Sequence, residues 1–272
     1  MLLSINFLEF LFLFLPIFIY ILYKLFKLLS ILYKRIFLYI KVDNFKIYIE
    51  NLSLKDIKFI IDNCHYYNKL NDKNKKKFLK RIDKIIDDFD IHYIENKDEQ
   101  NHLKLRLSML QTKLTFGLNC YNLEKFDNIM MYPDEFTSFY TGEKNIGETN
   151  PGLRTIAIAK DDFLDGINYK NDNLNLGIHE LSHALFYTMD KKDGYCATKF
   201  IFAYDRLMKT VEKYKDDILI DDYFRKYMFN TDYEIFPVLS EHFFETPKEF
   251  KNRYPEIYDK MCKVLNQNLA DL

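Results

Sequence analysis

Residues 174–189 read LNLGIHELSHALFYTM, and within them His179-Glu180-Leu181-Ser182-His183 forms the pattern H-E-x-x-H. The apolar positions of this stretch recur at helical spacing. On a helix, His179 and His183 lie four residues apart, project on the same side and can share one Zn²⁺. Glu180 is turned far enough from that axis to miss the metal and still reach the water such an ion activates. Zinc lowers the pKa of that water to about 7 and polarises a carbonyl, while the glutamate takes the proton and later delivers it to a leaving amine. The pattern therefore points to metal-assisted hydrolysis. A pair of core or surface histidines on an amphipathic helix is the alternative, although histidine is scarce here, six in 272 residues.

A catalytic zinc site needs a third protein ligand and one open position. The best source is residues 233–244, YEIFPVLSEHFF, where Glu234 and Glu241 stand seven apart and are nearly eclipsed on a helix. Both interrupt an apolar run in which an unpaired carboxylate is costly. Holding a metal and orienting its ligands would explain the pair; two exposed carboxylates on a polar stripe is the other reading.

Around this centre the chain reads as an α+β domain. Phe45–Ile49 is a short strand candidate. Ser53 with Asp56 opens a helix through about Leu70, and Asp72 opens another with apolar residues at helical spacing to Phe89. The NDKNKKK run at its start (residues 71–77) reads as a solvated first turn. Leu103–Leu118 is a third helix, closing at Gly117. Asn128–Tyr132 is a strand stopped by Pro133, and Arg154–Ala159 is a second. Between them TGEKNIGETNPG reads as loop, and the C-terminal third reads as helical. His65, His92 and His102 have no partner spacing, and His242 reads as packing.

With HELSH upstream, residues 234–268 (EIFPVLSEHFFETPKEFKNRYPEIYDKMCKVLNQN) resemble the Mlc titration factor A family of zinc-dependent peptidases. The resemblance extends back through LKLRLSMLQTKLTFGL (103–118), YPDEF (132–136) and GETNPGLRTIAIAKDDFLDG (147–166), and covers roughly residues 65 to 265. It implies a zincin-like metallopeptidase fold, mostly helical with a small sheet, acting on a peptide or protein substrate. It assigns His179 and His183 as histidine ligands, Glu180 as the catalytic glutamate and Glu234 as the third ligand. Tyr227, seven residues before Glu234, matches a tyrosine thought to steady the oxyanion, a role that suits a phenol O–H; a packing aromatic is the other reading among 21 tyrosines. Glu241 is read as orienting a histidine N–H. The strand Arg154–Ala159 corresponds to the edge strand on which zincins pair an extended substrate.

Two positions depart from the family pattern. Phe186 stands where an Asp is usual three residues after the second histidine, which leaves Asp190 to take that role or the role lost. Pro237 stands where a small residue is usual, tolerable near N1–N3 of a helix. The family is named for sequestering a transcriptional repressor, so a regulatory binding protein with little or no peptidase activity is the rival reading.

Composition sets the outer limits. Apolar residues are 48 % and charged residues 29 %, enough for a packed core, and Gly 7 and Pro 6 exclude Gly- or Pro-rich architectures. A net charge of −1 argues against general nucleic-acid binding. Four distant cysteines without C-x-x-C read as reduced, mostly buried thiols. Residues 1–42 hold five basic groups and one acid and are read as a separate N-terminal anchor; residues 43–272 form the peptidase domain. Leu2–Tyr23 is almost wholly apolar and just reaches the length of a single membrane span, without the n-region or cleavage site of a signal peptide. Lys24–Lys41 reads as a basic amphipathic helix, either in the headgroup layer or packed on the body with a solvated lysine face. The positive flank places the body in the cytoplasm.

Overall fold

The two strand patterns NIMMY and RTIAIA become neighbours in one small sheet. The structure, a computed structural model, describes residues 7–271 apart from 38, 43, 44, 94, 95, 124, 125, 139, 140 and 170. The chain divides into two compact units, residues 1–54 and 55–272.

In the first unit α1 (Phe7–Phe37) is one continuous helix through Pro16, followed by β1 (Tyr39–Val42) and β2 (Phe45–Tyr48), which pair antiparallel. The helix expected to run to Lys41 thus stops at Phe37, and the chain turns into a hairpin rich in β-formers. Among the described residues no helix is long and apolar enough to cross a membrane. The single span expected over Leu2–Tyr23 is therefore unsupported, and its residues 2–6 lie outside the described residues.

The second unit is mostly helical. It begins with α2 (Leu54–Asn63), the short α3 (His65–Asn68) and α4 (Asp72–Ile85). The single helix expected from Ser53 to Leu70 is broken at Cys64, whose backbone is non-helical (φ −112°, ψ 87°). β3 (Asp90–His92) was not legible in advance, and α5 (Lys97–Leu114) starts six residues ahead of Leu103 because the Asn96 side chain caps it, accepting from the N–H groups of Asp98 and Glu99. β4 (Asn128–Tyr132), β5 (Phe136–Thr137), β6 (Lys144–Asn145), β7 (Gly147–Asn150) and β8 (Thr155–Ala159) follow. Then come α6 (Lys160–Asn168), α7 (Leu176–Asp190), α8 (Tyr195–Lys213), α9 (Lys215–Ile220), α10 (Asp232–Glu245), α11 (Pro247–Arg253) and α12 (Pro255–Leu265).

The main sheet has the order β3-β4-β8-β7, parallel except for β7, which runs antiparallel to β8. Ile129 faces Ile156 across β4 and β8, and the alternate residues Ile129, Met131, Ile156 and Ile158 are fully buried. Two expectations change here. TGEKNIGETNPG is not all loop, since it supplies β6 and β7. The strand over Arg154–Ala159 is not an edge either: β8 is flanked on both sides, and β3 and β7 are the edges among the described residues. Glycine and asparagine disguise β7, whose register is set by pairing with β8 rather than by its own pattern.

The lysine run of α4 is partly structural. Lys77 and Arg81 donate to the Thr115, Phe116 and Leu118 carbonyls beyond the end of α5, while Lys73, Lys80 and Lys84 are exposed. The cysteines also differ from expectation. Cys120 and Cys196 are joined as a disulfide, with Cα atoms 6.2 Å apart, and Cys64 and Cys262 are free. A separation of 76 residues carries no local sign of that proximity.

Candidate metal centre

α7 begins where Asn175 accepts a hydrogen bond from Ile178 N–H (3.0 Å), leaving the four residues of the motif's first turn in regular helix. The helix is nearly enclosed: Ile178, Leu181, Ala184 and Leu185 have no exposed surface. Gly177 lets it approach its neighbours, because a Cβ there would sit 2.5 Å from Leu110 and 2.8 Å from Phe163. His179, Glu180 and His183 are thus carried on a rigid buried element, the requirement for a precise site.

α10 packs against α7 and brings its first-turn carboxylate to the two imidazoles. His179 Nε2 lies 3.0 Å from Glu234 Oε2, and His183 Nε2 lies 3.5 Å from the same oxygen. The ligand atoms of the three residues all fall within 4.8 Å of one another. Pro237 is the sixth residue of α10 rather than one of its first three, so it offers no N–H to the Tyr233 carbonyl. Glu241, about two turns beyond Glu234 on α10, is 1 % exposed and accepts from His179 Nδ1 (2.7 Å), from Asn175 N–H (2.8 Å) and from Arg225 Nη2.

The donor set fits a divalent metal. With Nδ1 of His179 committed to Glu241, Nε2 is the nitrogen that faces Glu234 and His183. Two imidazoles and one carboxylate are the protein half of a four-coordinate zinc site with an open position. Without an ion these groups satisfy one another. Burial opposes charge on His179, yet its hydrogen bonds to Glu234 and Glu241 outweigh that and push the imidazole up to about 10. Burial acts to raise the Glu234 carboxyl, but the two histidines outweigh it and hold the group well below the usual carboxylate range.

Glu180 occupies a different environment. It is 3 % exposed, and burial raises its carboxyl above the usual range. Thr149 Oγ1 on β7 donates to Glu180 Oε2 (2.7 Å), which orients the group and leaves Oε1 free of that bond. Gly147, two residues earlier on the same strand, makes the room: a Cβ there would lie 2.2 Å from Glu180 Oε1. Tyr227 lies in a short 3₁₀ helix, Lys226–Phe229, with its ring 6.3 Å from that of His179. Burial, then the charge and hydrogen bond of Glu234, push its phenol well above its usual value, so it stays a donor at any ordinary pH.

Two cavities border these groups. One of about 570 Å³ is lined by His179, Glu180, Tyr227 and Leu176 among others, and one of about 270 Å³ by His183, Glu180, Tyr187 and Tyr233. The structure thus brings together all six residues singled out from the sequence. Asp190 stays away: it is exposed and pairs with Lys191 (3.1 Å), while Phe186 packs on Tyr204. His242 is buried between Tyr223 and Phe224, and burial, then the charge of Arg225, lower its imidazole to about 3. His102 stacks on Phe59 and His92 lies 3.6 Å from Asp90, both apart from the centre. Gly147, Thr149 and Arg225 went unnoticed in the sequence; each is a single residue without periodic signal.

No curated protein matches the chain. Residues 43–265 match the family model described as glucose-regulated metallo-peptidase M90, in keeping with the resemblance drawn from residues 65 to 265. Spanning most of the chain, and including both the H-E-x-x-H helix and the helix of Glu234, that match places this protein in the M90 metallopeptidase family.

Proposed function

We propose that this protein is a zinc-dependent peptidase that hydrolyses peptide bonds by activating water. The observation that carries the reading is the convergence of His179, His183 and Glu234 to within 4.8 Å beside a buried Glu180 held by Thr149. A zinc ion held by the three groups would supply Lewis acidity toward the substrate carbonyl and the attacking water. Glu180 accepts the water proton and passes it to the leaving amine; its raised carboxyl suits that exchange near neutral pH. Tyr227 donates its O–H to the negative charge that builds on the carbonyl oxygen. Glu241 holds His179 by its Nδ1–H. An extended peptide adds to the free edge of β7, the strand that also carries Thr149.

The N-terminal helix forms a further part of the proposal. Every described side chain of α1 from Phe14 to Leu29 is exposed, including Phe18 at 58 % and Phe26 at 75 %. Apolar surface of that extent supports attachment to a membrane by lying in its interface, with Lys24 and Lys27 toward the headgroups of a cytoplasmic leaflet.

The test is metal analysis and turnover of an internally quenched peptide with the full chain. Wild type is expected to bind about one zinc and to cleave. Glu234→Ala is expected to lose the zinc; equal zinc in the two proteins removes Glu234 from the site. For α1, the full chain is expected to float with anionic vesicles, and its remaining at the bottom of the gradient ends the membrane reading.

A further inference from the structure

Glu241 is 1 % exposed, and its charge has to be met from within the protein. Of its three donors, Asn175 N–H belongs to the start of α7 and His179 Nδ1–H to a candidate ligand. Among the described residues the remaining partner, and the permanent cation, is Arg225, which donates through Nη2 to Oε1, the oxygen that also takes His179. Arg225 precedes the 3₁₀ turn of Tyr227, and its carbonyl accepts from Met228 N–H (2.9 Å). Its Nε is buried without a hydrogen-bond partner, and its Nη2 is directed to Glu241. A neutral or displaced Glu241 would free the His179 ring to turn or to change tautomer, and Nε2 would no longer be fixed toward Glu234 and His183.

We propose that Arg225 is a positioning residue of the metal centre: it fixes the Glu241 carboxylate on His179 Nδ1–H and so presents His179 Nε2 to the metal. This rests on the zinc reading above. Arg225 acts through Glu241, which separates it from a general contributor to folding. A guanidinium that merely glued two segments together would change thermal stability and leave the zinc affinity of the folded protein unchanged.

The experiment is chelator competition for zinc on the full chain, with the folded state checked by circular dichroism. Arg225→Ala is expected to weaken zinc binding about 10- to 100-fold, the usual consequence of removing a group that orients a metal ligand. Glu241→Gln is expected to do the same, and Arg225→Ala added to Glu241→Gln to cost nothing further. Arg225 also lines the cavity of about 570 Å³, so zinc affinity is the deciding readout; at saturating zinc, Arg225→Ala is expected to lower kcat. Should the alanine variant fail to fold, Arg225→Gln and Arg225→Lys carry the same test: Gln weakens zinc as Glu241→Gln does, and Lys recovers most of the loss. Wild-type zinc affinity in Arg225→Ala, full additivity with Glu241→Gln, or equal affinity in the Gln and Lys variants overturns the positioning role and leaves the peptidase reading standing. A wild-type chain that binds no zinc overturns both.

Discussion

α1 and α7 are both helices rich in apolar residues, and they meet opposite fates. From Phe14 to Leu29 every described side chain of α1 is exposed, whereas ten residues of α7 are buried, with Ile178, Leu181, Ser182, Ala184 and Leu185 completely so. α7 is wrapped by α5, α6, α8, α10, β7 and β8. The difference teaches that apolar content announces a need for cover without saying what supplies it. Within α7 the polar residues carry the information: a buried helix tolerates His179, Glu180 and His183 only because carboxylates, Thr149 and a metal-sized donor cluster answer them.

The largest expected break in that comparison comes from Glu180→Gln. Turnover should fall roughly 10³-fold while zinc content stays at the wild-type level, read by peptide hydrolysis beside metal analysis. Undiminished turnover would take Glu180 out of the chemistry. Next is Leu185→Ala on the buried face of α7, which should cost about 2–5 kcal/mol in a denaturant titration because little around it can collapse into the void.

Removing the metal should then add a pH dependence. In the metal-free protein the His179 imidazole lies near 10, above its ordinary 6.5, so the stability it lends is fully present below about pH 6.5 and is lost as pH rises through about 10. Thermal midpoints of chelator-treated protein should fall across that window, and those of zinc-loaded protein should not, since zinc binding displaces the proton. The smallest effect belongs to α1: Phe18→Asp should change unfolding free energy by no more than about 0.5 kcal/mol, while abolishing flotation with vesicles. A large loss of stability there would mean α1 is covered after all.

The sequence was most legible where function and periodicity coincide. Two histidines and a glutamate at i, i+4 and i+1 can be placed on a helix from spacing alone, and Glu234 could be proposed 51 residues beyond His183 because its carboxylate interrupts an apolar run. The strands β4 and β8 alternate clearly and were found. What escaped depends on contacts that leave no local trace. Thr149 meets Glu180 across 31 residues, Arg225 meets Glu241 across 16, and Cys120 meets Cys196 across 76. β7 escaped for a related reason: Gly-Glu-Thr-Asn has loop chemistry, and β8 makes it a strand by offering a free edge.

One consequence of β7 concerns engineering. Because Gly147 leaves the room that Glu180 Oε1 occupies, Gly147→Val supplies a steric off-switch that leaves all three candidate ligands unaltered. The branched methyls would displace the Glu180 carboxylate from its niche while the imidazoles and Glu234 stay as they are. On the proposed peptidase reading, such a variant should capture peptides without cutting them, which makes it a bait for recovering the substrate.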